Sequence, residues 1–128
     1  MATILVIEDE ASIRDNLERI LRLEGHRAIQ AADGASGLRL IAERRPDLVL
    51  CDIMMPGLTG FEVLAALQAD PALRGIPLLF VSASAEPEKL EEALRLGARG
   101  YLTKPFNLAG LREALRRHLP AAPPPEGS

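Results

Sequence analysis

Four short apolar runs in this chain each end on side chains that can do chemistry. Glu8-Asp9-Glu10 follow Ile4-Leu5-Val6-Ile7, and Asp52 follows Leu48 to Cys51. Ser82-Ala83-Ser84 follow Leu78-Leu79-Phe80-Val81, and Lys104-Pro105 follow Tyr101-Leu102-Thr103. An ionised Asp gains nothing at the end of a buried strand unless something there needs it. Taken singly, each residue has a bland explanation. Glu8 or Asp9 could cap a helix, Ser82 could be a turn hydroxyl, and Lys104 could be a solvated charge. Converging at one place, they ask for more. Two carboxylates about 4 Å apart repel by roughly 4 kcal/mol at an effective dielectric of about 20. Lys104 alone leaves such a cluster negative. A hard divalent cation with oxygen ligands and retained waters fits, and Mg2+ is the common intracellular choice. A carboxylate beside that cation, a lysine and a hydroxyl is a nucleophile for a phosphoryl group. Ala83 is small enough to leave room for it.

The elements that must bring these ends together are legible in the periodicity. Ile4 to Ile7 reads as a strand buried on both faces. Ile13, Leu17, Ile20, Leu21 and Leu23 recur at helical spacing, and Gly25 ends that helix. A second strand is expected near Arg27 to Ala31. Asp33 is expected to cap a second helix carrying Leu38, Leu40 and Ile41, which ends before Pro46. Leu48 to Cys51 is the third strand. Thr59-Gly60-Phe61-Glu62 has the capping-box spacing and opens a third helix that ends at Asp70-Pro71. Leu78 to Val81 is the fourth strand. Pro87 suits the first turn of a fourth helix that runs to Leu96 and stops at Gly97. Tyr101 to Thr103 is the fifth strand, and Asn107 caps a last helix with Leu108, Leu111, Leu115 and Leu119 on its inner stripe.

Five strands alternating with five helices imply an α/β fold, a doubly wound parallel sheet. Ligands of such sheets bind at the carboxyl ends of the strands, where these polar residues gather. The domain is expected over residues 1–119, with 120–128 as a Pro-rich linker or disordered tail.

Composition agrees. The chain has 128 residues, 48% of them hydrophobic and 26% charged, enough for one domain with a real core. The net charge of -3 and the lack of a basic block argue against direct nucleic-acid binding by this segment. No run approaches membrane-spanning length and no leader precedes the first strand, so a cytoplasmic location is expected. The single cysteine, Cys51, fits a buried inert thiol.

At these residues the sequence closely resembles the receiver domain of bacterial two-component response regulators, including the chemotaxis regulators. "ILVIEDE" is similar to the family's opening strand and acidic pair, with Glu8 where Asp is more usual. "PDLVLCDIMMPGLTGFEVL" resembles the phosphoacceptor segment, "PLLFVSASA" the strand with the switch hydroxyl, and "GARGYLTKPFN" the fifth strand and its loop. The resemblance implies the strand order 2-1-3-4-5. It implies Mg2+ on Asp9, Asp52 and the backbone carbonyl of Met54, with Glu8 acting through water. It implies transfer of a phosphoryl group from a histidine kinase or phosphotransfer protein to Asp52, assisted by Lys104 and Ser82, and a cis bond at Lys104-Pro105. It implies a switch in which Ser82 moves toward the phosphate and Tyr101 rotates inward. That motion alters the face of helix four, strand five and helix five, where an output domain or second subunit could dock. Met54 and Ser84 flank the path of the hydrolytic water in this family. Neither carries a carboxylate or amide to orient that water, so slower loss of phosphate is expected than where such groups stand. Ala98-Arg99-Gly100 lacks the acidic pair of one DNA-binding subfamily, which argues against that subfamily's dimer.

Other functions fit less well. A phosphatase of the haloacid-dehalogenase type wants a second acid two residues after its nucleophile, where Met54 stands. A flavin carrier of the same fold wants a Ser/Thr/Gly-rich first loop, where Glu-Asp-Glu stands. A docking-only pseudo-receiver would not need the full set of acid, hydroxyl and lysine.

Overall fold

The computed structural model describes residues 2–82, 87–104 and 107–119. Strands β1 (Thr3–Ile7), β2 (Arg27–Ala31), β3 (Leu48–Asp52), β4 (Leu78–Ser82) and β5 (Gly100–Thr103) alternate with helices α1 (Ala11–Leu23), α2 (Gly34–Arg44), α3 (Gly60–Ala69), α4 (Pro87–Arg95) and α5 (Leu108–His118). All strand pairs are parallel, in the order β2-β1-β3-β4-β5.

The period-two alternation of the strands sorts their side chains into two cores. Leu5, Ile7, Val49, Cys51, Leu78 and Phe80 face one side, where they meet Ile41 of α2, Val63, Leu64 and Leu67 of α3, and Ala93 of α4. Ile4, Val6, Leu48, Leu50, Leu79 and Val81 face the other, against Leu17 and Leu21 of α1 and Leu111 and Leu115 of α5. Each fully buried Leu, Ile or Val contributes about 1.5–3 kcal/mol. This two-sided burial explains why β1, β3 and β4 read as unbroken apolar runs.

Local chemistry sets the helix ends. Asp33 accepts from the Ser36 amide at 2.7 Å and starts α2. Thr59 and Glu62 form the expected capping box of α3. Asn107 accepts from the Gly110 amide at 2.7 Å and starts α5. Gly25, just past α1, sits at φ +86°, where a side chain would be strained.

The structure corrects several expectations. Leu23 is 78% exposed and Leu108 is 41% exposed, so neither lies on its helix's inner face. Leu23 falls two positions after Leu21, about 200° round the helix, and Leu108 is the first residue of α5, at the open end of its stripe. Asp52 and Ser82 are the last residues of β3 and β4 rather than the first beyond them, and α4 ends at Arg95. Among the described residues no helix is long and apolar enough to cross a membrane. The expected cis bond at Lys104-Pro105, the side chains of Ala83 and Ser84, and the tail 120–128 lie outside the described residues.

Candidate phosphoacceptor and metal site

The sheet register brings four strand ends to one level. Ile7 pairs with Cys51, Asp52 with Val81, and Ser82 with Thr103. Glu8, Asp52 and Lys104 therefore meet at the carboxyl edge. The Lys104 amide continues the ladder by donating to the Ser82 carbonyl at 2.7 Å.

Glu8, Asp9 and Asp52 each offer a carboxylate oxygen, all within 4.8 Å of one another. Glu8 is 1% exposed and Asp52 8%, while Asp9 is open to solvent. Buried carboxylates this close need cations. The Lys104 ammonium lies 2.6 Å from Glu8 Oε1 and 3.5 Å from Asp52 Oδ2. Burial pulls its pKa down, but the Glu8 hydrogen bond and the charges of Asp52 and Glu8 outweigh this and raise it. Lys104 therefore stays charged at neutral pH. Three carboxylates against one ammonium still leave the cluster two charges negative. Two acids at strand ends and one at a solvent-facing position make an oxygen donor set with room for retained waters, which fits a hard divalent cation.

The sequence set Lys104 against Asp52. The structure places it closer to Glu8, whose extra methylene gives the carboxylate added reach. The other Glu8 oxygen, Oε2, accepts from the Glu10 amide at 3.2 Å. This satisfies one free donor at the start of α1, whose N-cap residue Glu10 makes no side-chain cap bond. Glu8 is thus both a member of the acid cluster and an anchor for the helix behind it.

Asp52 is held from below by α3. The Gly60 amide donates to the Ile53 carbonyl at 2.8 Å, and a Cβ on Gly60 would come within 2.4 Å of the Asp52 carbonyl oxygen. Only glycine allows that approach. Cys51 is 1% exposed, and its Sγ donates to the Asp52 carbonyl at 3.2 Å. Burial pushes its thiol well up, and the charges of Asp52 and Glu8 add to that, so it is no thiolate. Two residues beyond Asp52, Met54 is 65% exposed.

Ser82, 3% exposed, ends β4 next to Asp52. Tyr101 is not part of the acid cluster. It pairs in register with Phe80, so it shares the sheet face of Ser82 two residues further on. It is 41% exposed and lines a groove of about 410 Å³ with Leu94, Arg99, Leu102 and Ala114 between α4, β5 and α5.

Two features escaped the sequence. The Glu8–Lys104 pairing joins residues 96 apart and depends on side-chain length. The other is Arg14, whose Nη1 donates to the Glu8 carbonyl at 2.8 Å. Its signal was there: Arg14 lies on the stripe of Leu17 and Leu21, where a cation needs a partner.

Comparison with known proteins agrees with this geometry. Residues 4–116 match the family described as response regulator receiver domain. Sporulation initiation phosphotransferase F of Bacillus subtilis is 33% identical over 117 residues, covering 91% of this chain and 93% of that protein. The phosphate regulon transcriptional regulatory protein PhoB of Pseudomonas aeruginosa is 35% identical over 119 residues, covering 90% of this chain. The chain spans about half of PhoB's length, 52%. Among solved structures, Vibrio cholerae chemotaxis protein CheY4 superposes with a TM-score of 0.88 at 35% identity, covering 93% of this chain and 99% of that one. The receiver domain of sensor histidine kinase PA1611 from Pseudomonas aeruginosa, solved with a magnesium ion in its active-site cleft, gives 0.84 at 32% identity, covering 91% and 96%. With its five parallel strands in the order 2-1-3-4-5 and an acid cluster at their carboxyl edge, the chain belongs to the response regulator receiver domain family, the phosphoacceptor modules of two-component signalling.

Proposed function

We propose that Asp52 is the phosphoacceptor, and that the phosphoryl group comes from the phosphohistidine of a sensor histidine kinase or a phosphotransfer protein. The observation that carries this reading is the position of Asp52. It is a nearly buried carboxylate at a strand end, 3.5 Å from a lysine held charged and within 4.8 Å of two further acids. An Asp52 oxygen attacks phosphorus, a P–O bond forms, the P–N bond breaks, and the electron pair returns to the imidazole nitrogen. Lys104 neutralises charge on the transferred oxygens. Mg2+, when bound, supplies the remaining positive charge. Asp9, Asp52 and the Met54 carbonyl would hold it, and Glu8 would act at one remove. The magnesium-bearing PA1611 receiver supports this assignment by similarity.

Ser82 then donates a hydrogen bond to the phosphate and Tyr101 turns inward. The α4–β5–α5 face changes for an output domain or second copy. The groove beside Tyr101 fits such a role. Phosphate binding biases this pair only by its differential affinity for the inward state. Met54 and Ser84 bring no carboxylate or amide to orient hydrolytic water, so the phosphate should be long-lived. This setting suits a cytoplasmic signalling protein, with no direct nucleic-acid contact by this segment.

Beryllofluoride, an acyl-phosphate mimic, tests the assignment by fluorine NMR. The parent should show bound beryllofluoride only with Mg2+, and Asp52→Asn none. Bound signal in Asp52→Asn equal to the parent's would refute it.

A further inference from the structure

Arg14 takes no part in the chemistry above, yet its guanidinium reaches the backbone of the turn that carries Glu8 and Asp9. It lies three residues before Leu17 and seven before Leu21, the two buried positions of α1, and so extends their stripe toward the helix start. A guanidinium on an inward stripe needs a polar partner. That partner is the Glu8 carbonyl oxygen, 2.8 Å from Nη1. The Arg14 amide also bonds back, to the Glu10 carbonyl at 2.9 Å. That second bond is the ordinary first i→i−4 bond of α1, so it is the guanidinium that reaches back past Asp9 to the turn.

We propose that Arg14 is a positioning residue for the cation site, fixing the Glu8–Asp9 peptide so that the Asp9 carboxylate is aimed at those of Glu8 and Asp52. The Glu8 carbonyl and the Asp9 amide share one rigid peptide plane, so holding the oxygen fixes the backbone that carries Asp9. The Asp9 carboxylate is exposed and takes no hydrogen bond from the described residues, so its direction rests on that backbone. The Glu8 amide is bound to the Ala31 carbonyl at 3.1 Å and its side chain is bound by Lys104 and the Glu10 amide. Without Arg14, the peptide after Glu8 is the one link of this turn left unheld. Groups behind metal ligands often tune affinity in this way.

The inference rests on the cation reading, and charge makes it sharply testable. A cation near the site repels Mg2+, so if Arg14 acted only through its charge, removing it would tighten binding. Positioning demands the opposite. Mg2+ is titrated into the full chain, followed by amide chemical shifts, for the parent, Arg14→Met and Arg14→Lys. Arg14→Met should bind Mg2+ about tenfold more weakly. Arg14→Lys, which keeps a charge and a donor, should recover most of the loss. In metal-free protein, nitrogen-15 relaxation of the Asp9 amide should show added motion in Arg14→Met and not in Arg14→Lys. Should Arg14→Met fail to fold, Arg14→Gln is read in the same way. Mg2+ affinity equal to or tighter than the parent's in Arg14→Met overturns the proposal. If the parent itself binds no Mg2+, the cation reading fails, and unchanged motion at Asp9 in the metal-free variant then overturns the role of Arg14 separately.

Discussion

Replacing Lys104 by Met should destabilise the protein in a way that Mg2+ repairs. The Lys104 side chain is 14% exposed, and it sits 2.6 Å from Glu8 and 3.5 Å from Asp52, whose side chains are 2% and 10% exposed. At an effective dielectric of about 20, these contacts are worth roughly 6 and 5 kcal/mol gross. Desolvating the three groups cancels most of that, so the pair adds little against an apolar substitute. Removing one partner is different, because two buried carboxylates then face each other beside Asp9. Breaking a buried pair costs about 3–5 kcal/mol. The cluster is open to water at Asp9, and that screening lowers the cost below this range, to about 2–3 kcal/mol. For a domain of this size that is a fall in Tm of about 8–12 °C. Met retains the apolar stem, so little of the loss comes from packing. The assay is thermal unfolding by circular dichroism in EDTA and in Mg2+. The deficit should be large in EDTA and mostly recovered in Mg2+, because the metal replaces the missing charge. A deficit below about 0.5 kcal/mol in EDTA, the level of an ordinary surface substitution, or one that Mg2+ leaves unchanged, would refute the electrostatic reading.

Three further tests follow. His118 is held below the ordinary imidazole value by burial and then by Arg117 and Arg99. Its folded pKa lies below its unfolded one, so its contribution is fully present above about pH 6.5 and is lost as pH falls through the folded value. His118→Asn should flatten the fall in Tm between about pH 7 and 5 relative to the parent, and an unchanged slope counts against the assignment. Ser82→Ala should leave phosphorylation intact but reduce the amide shift changes that beryllofluoride causes in α4. A full α4 response in Ser82→Ala would break the proposed coupling. Met54→Asn should shorten the aspartyl-phosphate lifetime by about ten- to a hundredfold if the amide orients water, and rapid loss from the parent that Met54→Asn leaves unaltered contradicts the argument.

The strands were legible because three of them are buried on both faces, so their apolar runs are continuous. The helix starts were legible where a side chain makes the cap, as at Asp33, Thr59 and Asn107. Helix faces were less so. Leu23 and Leu108 match the helical repeat well enough to be placed inside, and only packing shows that the stripes are centred on Leu21 and Leu111. Asp9, Asp52 and Lys104 were found because each follows an apolar run, and parallel topology sends all such ends to one edge. What the pattern could not hold was reach. Whether Lys104 rests on Glu8 or Asp52 depends on one methylene and on tertiary distances. Arg14 pairs with a backbone carbonyl, an acceptor that every residue has and no motif marks.

The central claim is that Asp52 receives the phosphoryl group. Its most direct test is incubation of the chain with phosphoramidate, a small phosphodonor, and Mg2+, followed by borohydride reduction and peptide mass mapping. An acyl phosphate is reduced to the alcohol, so the modified aspartate becomes homoserine at its own position. The account predicts homoserine at Asp52 alone, dependent on Mg2+, and no phosphoryl gain in Asp52→Asn. Homoserine at Asp9 or at another carboxylate in the parent, with Asp52 unmodified, would contradict it.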